Sequence, residues 1–476
     1  MQSTPVRSIL AILLLLAFSA GNALAAPPAA KIPAGEVFTS EVLGWPGEAF
    51  DWPADANAAL LQSRLGDKLT LQDFPVAPGL RADVELERYD VYAYDTKILV
   101  DTGKAQREIP RADRLAFIGK TVDGPDFSVG FSLDPETASL RGLSRGATGL
   151  FEIREPAAGT KRHVVQHPRA ALEGIEPFIE SSCGADHLPA DPTAPEGSLI
   201  DHIPGLSGRI LPKGVAPSGL SVAVVAVDTD NELNHLKFSN DTDAALDYLF
   251  DLFAALNVIY ERDLDLRLLQ GTTFLRLDTD PSPTYNDDPW NVTGTVASSA
   301  HLSEFGSYWS SNQGSVRRVM AMLLSGKSSS NFSSSGIAWV DGVCETQSTG
   351  GAYSVTMVFK ANVADTLVIG HELGHNFGSP HTHCYNPPVD NCYALEGGCY
   401  SGPVSCPAGG KGTIMSYCHF GSGASCGSNK LEFHPTVISN LSGNLSNHTF
   451  AGCIVPLVFN DGFQSGNTTL WSSEVP

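Results

Sequence analysis

The strongest constraint on the fold is the segment HELGHNFGSPH at residues 371–381, which packs three histidines and one glutamate closely together. The apolar pattern before it predicts a helix with Asn362 as its N-cap and an end near Phe377. On such a helix His371 and His375 differ by about 40° in rotation and about 6 Å in rise. Their Nε2 atoms can therefore share one metal ion.

The third histidine needs a break in the helix. In a continuous helix His381 would lie about 15 Å along the axis from His371, too far to join the same ion. Gly378 solves this because glycine adopts the left-handed conformation that ends a helix, and Pro380 prevents the helix from resuming. Glu372 is turned about 100° from His371 and so faces the open side of the site.

The alternative interpretation is an amphipathic helix with incidental histidines. The sequence has 13 histidines in 476 residues. At that frequency the full H-E-x-x-H-x-x-G-x-x-H spacing arises by chance in roughly five chains in a hundred thousand. Chance is therefore excluded, and the segment predicts a metal site.

Together with IMSY at residues 414–417, this spacing resembles the metzincin class of zinc endopeptidases. The resemblance implies one catalytic zinc ion, with calcium left open, and Glu372 as the general base. It also implies that Met415 forms a hydrophobic floor under the metal and that Tyr417 approaches the zinc or the transition-state oxyanion. The zinc ligands it implies are His371, His375 and His381.

Within the metzincins, GIAWVDGVC at residues 336–344 and the later Cys453 resemble the reprolysin or adamalysin pattern, which implies a Cys344–Cys453 bridge. Reprolysins usually have Asp after the third histidine, where this chain has Thr382. Serralysins usually have Pro there and carry glycine repeats that are missing here. Residues 220–455 are therefore identified as a reprolysin-like bacterial enzyme.

The ligand set determines the expected chemistry. Three neutral imidazoles leave zinc an open position for water, whose proton Glu372 accepts and passes to the leaving amine. The resemblance also implies that GIAWVDGV is an edge strand with which protein or peptide substrates pair in extended form, the alternative being an interior strand. The competing function is a catalytically silent adhesion or binding module that keeps the metzincin fold.

Length and charge limit the other possibilities. A chain of 476 residues exceeds one compact core, so two folded units with tails are expected. The formal net charge is -22, and no stretch gathers the Lys/Arg stripe that neutralises phosphates. We therefore expect no nucleic-acid partner, and we expect a monomer.

The first residues indicate export. Arg7, the apolar run ILAILLLLAF at residues 9–18 and ALA at residues 23–25 form a signal-peptide pattern. An uncleaved membrane anchor is the alternative, but the run falls short of the ~20 residues needed to span a bilayer. No later segment is long enough either, so we expect a secreted protein without a membrane span.

Alternating patterns divide the rest of the chain. Residues 36–180 show short β-type runs, such as those at 82–94 and 97–102, and residues 188–219 form a proline-rich linker. After the linker, apolar strands alternate with helices, which predicts an α/β (α+β) metzincin-type domain with a twisted mixed sheet. Strands are predicted at 221–227, 266–277, 315–324, 336–343 and 353–359, and helices at 243–260 and 301–309. The predicted organisation is signal peptide 1–25, β-rich propeptide 26–187, linker 188–219 with the activation cleavage, catalytic domain 220–455 and tail 456–476.

Of the nine cysteines, only Cys183 precedes Cys344. The other eight suffice for four bridges, three of them between residues 384 and 426 with unassigned pairing. Cys183 in SSCGADH resembles the cysteine switch of metzincin propeptides, in which a thiolate occupies the open zinc position; a buried thiol or an interchain bridge is the alternative. Activation would follow cleavage near Arg209 or Lys213.

Two further features receive an interpretation. His383 misses the ligand spacing and is read as a residue behind the ligands or an exposed one. The tail contains DGFQSG, which is similar to an ending of exported proteins in some Gram-negative bacteria. A sorting signal and a disordered tail both remain open.

Overall fold

The structure is a computed structural model that describes ten parts of the chain. They are residues 30–39, 46–156, 161–168, 219–280, 284–290, 297–327, 334–420, 422–427, 429–450 and 452–457. The predictions for the signal peptide, for Cys183, for the linker up to residue 218 with its cleavage site, and for the tail from residue 458 lie outside the described residues.

The N-terminal part, residues 30–168, is β-rich and is here named the β-unit. Ten of its strands form one sheet in the order β1-β4-β5-β8-β9-β10-β11-β12-β3-β2. Helix α1 (Ala54–Gln62) packs against β1 and β4. The strands are β1 (Ala30–Lys31), β2 (Glu36–Thr39), β3 (Pro46–Asp51), β4 (Lys68–Ala77), β5 (Leu80–Tyr89), β6 (Ile98–Asp101), β7 (Gln106–Ile109), β8 (Leu115–Thr121), β9 (Phe127–Leu133), β10 (Leu140–Gly146), β11 (Gly149–Arg154) and β12 (Arg162–Gln166).

The part after the linker is a mixed α/β domain, as predicted. Its sheet runs in the order β16-β17-β15-β13-β14-β6-β7, with β18 paired to β13. The central pairs are parallel, whereas β16 is antiparallel to β17. The strands are β13 (Ser221–Thr229), β14 (Leu266–Arg276), β15 (Met320–Ser325), β16 (Gly336–Ala338), β17 (Tyr353–Met357) and β18 (Val455–Pro456), and the helices are α2 (Thr242–Leu264), α3 (Ser299–Asn312), α4 (Asn362–Asn376) and α5 (Pro435–Phe450).

Two strands are shorter than the apolar patterns predict. Strand β15 begins at Met320, five positions later than expected, and β16 ends at Ala338. The chain turns after β16 because Asp341 has a φ of 60° and its N–H donates to the carbonyl of His375 at 2.9 Å. Among the described strands β16 pairs only with β17, so the predicted edge position is confirmed and the interior alternative is wrong.

The hairpin of β6 and β7 belongs to the β-unit in sequence but to the other sheet in space. Strand β6 runs parallel to β14, and Ile98 lies opposite Thr273. The alternating pattern correctly indicates a strand here but carries no information about its partner. This hairpin occupies the end of the sheet opposite β16.

Helix α2 lies between the two parts of the molecule. It contacts β8, β9 and β10 on one side and β14 and α4 on another. It starts where the side chain of Asp241 accepts the N–H groups of Asp243 and Ala244, and every residue from Leu249 to Tyr260 is buried. The close approach to β9 requires a glycine, because a Cβ on Gly130 would lie 2.4 Å from Cγ2 of Val258. Among the described residues no helix is both long and apolar enough to cross a membrane.

A side chain forms hydrogen bonds with the main chain of β14 at a point that strand β6 does not reach. Strand β6 pairs with β14 only from Thr273 onward. Before that point the buried side chain of Asn257, on α2, accepts the N–H of Leu268 at 2.7 Å and donates to its carbonyl at 3.0 Å. The amide of Asn257 thus satisfies two buried main-chain groups.

Replacing Asn257 by Ala is expected to lower the free energy of unfolding by about 3 kcal/mol, because both main-chain groups of Leu268 lose their partner. Urea denaturation followed by circular dichroism measures the change. The exposed Asn312 donates to the carbonyl of Tyr308 at 2.9 Å and is the matched control, with an Asn312→Ala effect within about 0.5 kcal/mol. Equal effects of the two substitutions would contradict this role.

Candidate metal centre and active site

Helix α4 carries the histidine motif through the core. It begins at Asn362, but its N-cap is Ala361, one residue earlier than predicted. The cap works without an N-cap side chain because the carboxylate of Asp365 accepts the N–H groups of Phe359 and Ala361 at 2.7 and 2.8 Å. Burial raises the pKa of Asp365 to about 6, although these N–H donors favour its charged form.

The helix ends where the sequence predicts a glycine bend. Gly378 has a φ of 103°, and its N–H donates to the carbonyl of His375 at 2.8 Å. A Cβ at this position would lie 2.0 Å from Nδ2 of Asn444, so space as well as backbone conformation requires glycine. The chain then reverses and carries His381 back towards the helix.

The reversal brings three imidazoles to one point. Nε2 of His375 lies 3.1 Å from Nε2 of His371 and 3.1 Å from Nε2 of His381. Ligands about 2.0–2.1 Å from a tetrahedral zinc ion lie about 3.3 Å from one another. The three Nε2 atoms therefore fit the donor positions of a single ion, and their residues form one of the groups able to hold a metal.

The opposite ring nitrogens determine which tautomer each histidine adopts. Nδ1 of His371 lies 2.6 Å from the carbonyl oxygen of Ile414, and Nδ1 of His375 lies 2.7 Å from that of Ser379. Carbonyl oxygens only accept, so each Nδ1 carries the proton and each Nε2 keeps a lone pair. Burial, followed by the neighbouring histidines, lowers the pKa of His371 well below its usual value. The same causes lower the pKa of His375 to about 3, so both rings stay neutral.

The third histidine has a carboxylate behind it that the motif does not predict. Oε2 of Glu396 lies 2.7 Å from Nδ1 of His381 and 2.7 Å from Nε2 of His383. Burial would raise the pKa of Glu396, but the charge and hydrogen bonds of the two histidines hold it well below its usual range. His383 is thus buried behind the ligands, one of its two predicted placements.

Nothing in the sequence pointed to Glu396, because it lies in an irregular loop outside any motif. The Cys384–Cys399 bridge holds this loop beside His381, and the N–H of Tyr400 donates to the carbonyl of His383 at 3.0 Å. The cysteine spacing was the only available signal, and pairing could not be assigned from it.

Glu372 lies buried at the edge of the sheet. A Cβ on Gly336 would come within 2.2 Å of Oε1 of Glu372, so the carboxylate rests directly against the backbone of β16. This contact positions the predicted base beside the strand that is expected to receive the substrate. It also explains a glycine at the start of GIAWVDGV.

Met415 lies against helix α4, and Tyr417 lies against the histidines. Sδ of Met415 would be 2.6 Å from a Cβ on Gly374, so the sulfur fills the space that this helical glycine leaves. The ring of Tyr417 is buried, and its centroid lies 4.2 Å from that of His381. Thr382, where the sequence departs from related enzymes, donates its N–H to the carbonyl of Met415 at 3.0 Å.

Eight cysteines form four bridges, as the count predicts. Cys344 pairs with Cys453, which confirms the bridge that the resemblance implied. The three bridges near the histidines are Cys384–Cys399, Cys392–Cys418 and Cys406–Cys426. They tie together a segment with little regular secondary structure, where the apolar core is small.

A mixed α/β domain that gathers three histidines beside a buried glutamate has the features of a metallopeptidase. Residues 220–429 match the model of metallopeptidase family M12, Reprolysin_5, so this part of the chain is similar to a reprolysin-like metalloprotease domain. None of the curated proteins compared with the chain matches it.

Among solved structures, the chain has a weak similarity to one described as "Structure of a chaperone-substrate complex". The two are 13% identical, with a TM-score of 0.28, and the match covers 48% of this chain and 36% of that chain. This chain thus spans little more than a third of the matched chain. A similarity this low carries no information about fold or function.

Replacing Glu396 by Gln is expected to weaken zinc binding about 10- to 100-fold, because the carboxylate orients His381 and raises the basicity of its Nε2. Competition with a chromophoric chelator measures the dissociation constant directly. The neighbouring Leu395 is 70% exposed, so Leu395→Ala is the control for disturbance of the loop and should leave zinc affinity unchanged. Unchanged affinity in Glu396→Gln would show that the carboxylate does not support the ligand.

Proposed function

We propose that the chain is a secreted zinc-dependent endopeptidase that is made as a zymogen. The observation that carries the proposal is the convergence of three Nε2 atoms next to a buried glutamate, with Nε2 of His375 3.1 Å from each of the other two. His371, His375 and His381 are the proposed zinc ligands. The match of residues 220–429 to a metallopeptidase family supports the same chemistry.

The protein groups have defined tasks in this reaction. The three histidines would hold a zinc ion, and this ion would supply the Lewis acidity that lowers the pKa of water and polarises the scissile carbonyl. Glu372 accepts the proton from the attacking water and transfers it to the nitrogen of the leaving amine. Tyr417, whose ring packs on His381, is proposed to stabilise the oxyanion, since a phenol can donate to developing negative charge.

The edge strand suggests how a protein substrate binds. Strand β16 uses one side for β17, and an extended peptide can pair with its other side by main-chain hydrogen bonds. Because Glu372 touches Gly336 of this strand, a peptide aligned there lies beside the catalytic groups. The proposed substrates are therefore unfolded or loop segments of extracellular proteins.

The bridges support export and the zymogen. Four disulfides are expected in an oxidising compartment, which agrees with the signal-peptide pattern. They use all eight of the other cysteines, so Cys183 has no cysteine left to pair with in this chain. A free thiolate is a good zinc ligand, and we propose that Cys183 occupies the open zinc position until the linker is cut.

The competing function, a silent binding module, has no use for Glu372. This residue is neither one of the three proposed ligands nor apolar, yet it is buried beside them. A protein that only binds would gain stability by losing a buried carboxylate.

Glu372→Gln is expected to lower casein hydrolysis by the activated enzyme about 100- to 10,000-fold, because the amide cannot accept a proton from water. Zinc content, measured by atomic absorption, should equal that of the wild type. Glu345→Gln, a change at an exposed position, is the matched control and should retain full activity. Equal casein hydrolysis by Glu372→Gln and the wild type would exclude the proposed mechanism.

Cys183→Ser is expected to make the full-length chain active before the linker is cut, because a serine hydroxyl is a poor zinc ligand. A fluorogenic peptide measures the activity of freshly purified, uncut protein. The double variant Cys183→Ser/Glu372→Gln should stay silent, which excludes a contaminating protease. A Cys183→Ser chain as inactive as the uncut wild type would refute the switch.

A further inference from the structure

The β-unit and the metalloprotease domain share one hydrophobic core. Tyr89, Tyr92 and Val100 of the β-unit lie in the same buried cluster as Leu249 and Phe253 of α2. The ring centroids of Tyr92 and Phe250, for example, are 5.8 Å apart. The two parts are therefore not separate globules joined only by a linker, because each buries apolar side chains of the other.

Main-chain hydrogen bonds also join the β-unit to strand β14 of the metalloprotease domain. The N–H of Gln270, in β14, donates to the carbonyl of Val91 at 2.7 Å, and the N–H of Ala93 donates back to Gln270 at 3.0 Å. The pairing continues through β6 as far as Asp101, whose carbonyl accepts the N–H of Leu277 at 2.8 Å. The β-unit thus covers the edge of β14 that the domain alone would leave unpaired.

Buried charges join the two parts on the outer face of α2. Asp251 of α2 lies 3.1 Å from Nε of Arg114, whose side chain is 5% exposed, and accepts a hydrogen bond from the hydroxyl of Ser132. Arg141 also faces Asp251, but at 3.8 Å and with a side chain that is 63% exposed. The β-unit thus provides both the ion-pair partners and the hydroxyl donor of Asp251.

A second set of buried ion pairs, around Arg276, also joins the two parts. The guanidinium of Arg276, in β14, donates to Asp101 of the β-unit at 2.6 Å and to Asp228 of β13 at 2.8 Å. The side chain of Arg276 is 3% exposed, so its N–H donors are satisfied in a region that excludes water by one carboxylate from each part of the molecule.

Helix α2 transmits this support to the candidate active site. The hydroxyl of Tyr260 donates to the carbonyl of Gly370, which precedes His371, at 2.8 Å. The hydroxyl of Tyr248 donates to Asp365, which caps α4, at 2.9 Å. The helix that carries two of the proposed ligands is therefore packed against a helix whose opposite side rests on the β-unit.

We infer that the β-unit remains bound to the metalloprotease domain after the linker is cut and acts as a structural subunit that supports α4. Cleavage breaks one peptide bond but none of the contacts above, whereas separation would expose the edge of β14 and the outer face of α2. The hairpin of β6 and β7 lies at the opposite end of the sheet from β16, so this binding leaves the proposed substrate strand accessible. The inference depends on the proposed function only in assuming that the linker is cut.

The test uses the full chain with the recognition sequence of a specific protease inserted in the linker at residues 188–218. All proteins carry Glu372→Gln, so the result does not depend on activity and self-cleavage is prevented. After complete cleavage, size-exclusion chromatography in 0.5 M salt, a concentration of the order that screens exposed charges, separates bound from free fragments. We expect both fragments to elute together, and elution as two separate species would overturn the inference.

Three variants, each of which removes a partner of Asp251, test the interface itself. Arg114→Ala removes the buried partner of Asp251 and is expected to raise the dissociation constant of the cut complex about 100-fold. Arg141→Ala, the exposed matched control, should change it less than about threefold. Equal effects would refute the assigned interface. Ser132→Ala, which removes only a hydroxyl, is the milder second variant should Arg114→Ala not fold, and it should weaken the complex about fivefold.

Support of α4 is measured separately by hydrogen exchange on the cut complex. Amide protons of residues 370–376 should exchange at least about tenfold faster in the cut Arg114→Ala complex than in the cut wild type, because α2 loses its outer support. Unchanged exchange together with a dissociated β-unit would refute the structural role. Casein hydrolysis by the cut enzyme with native Glu372 tests the proposed function alone. The association and exchange measurements use Glu372→Gln proteins, so failure of the proposed function is distinguishable from failure of this inference.

Discussion

The candidate metal centre depends on one backbone bend. The helix that carries His371 and His375 has to stop, and the chain has to reverse within a few residues, before His381 can reach them. Gly378 permits this with a φ of 103°, and the side chain of Asn444 occupies the space where a Cβ would lie. Local conformation and tertiary packing thus impose the same requirement on one residue, which is typical of positions that define a site.

Hydrogen bonds at the Nδ1 atoms also fix the orientation of the three histidine rings. The Nδ1 atoms of the three histidines face oxygen atoms from three different segments, at Ile414, Ser379 and Glu396. Acceptors at Nδ1 leave every Nε2 with a free lone pair, so the site is arranged for a metal before one binds. The segment between residues 384 and 426 supplies two of these oxygens, those of Ile414 and Glu396, and has little regular structure. Its three bridges therefore stabilise the site as well as the fold.

Helix α2 links the two parts of the molecule. One of its sides packs on the sheet of the β-unit, and another packs on α4 and β14. A helix with such an environment is apolar around most of its circumference, and α2 is buried without interruption from Leu249 to Tyr260. Helix α4, helix α2 and the β-unit therefore form consecutive layers, and the stability of each layer depends on the next.

The sequence by itself determined the local features: the helix and bend around Gly378, the spacing of the three histidines, the alternation of strands and helices, and the number of bridges. These depend on interactions between residues close in the chain, or on counting. Tertiary structure alone decided the contact of Glu396 with His381, the pairing of the bridges near the site, and the addition of β6 to β14. These contacts join segments far apart in the chain, and because a side chain or strand edge has many chemically equivalent partners, only the packing of the whole core selects one.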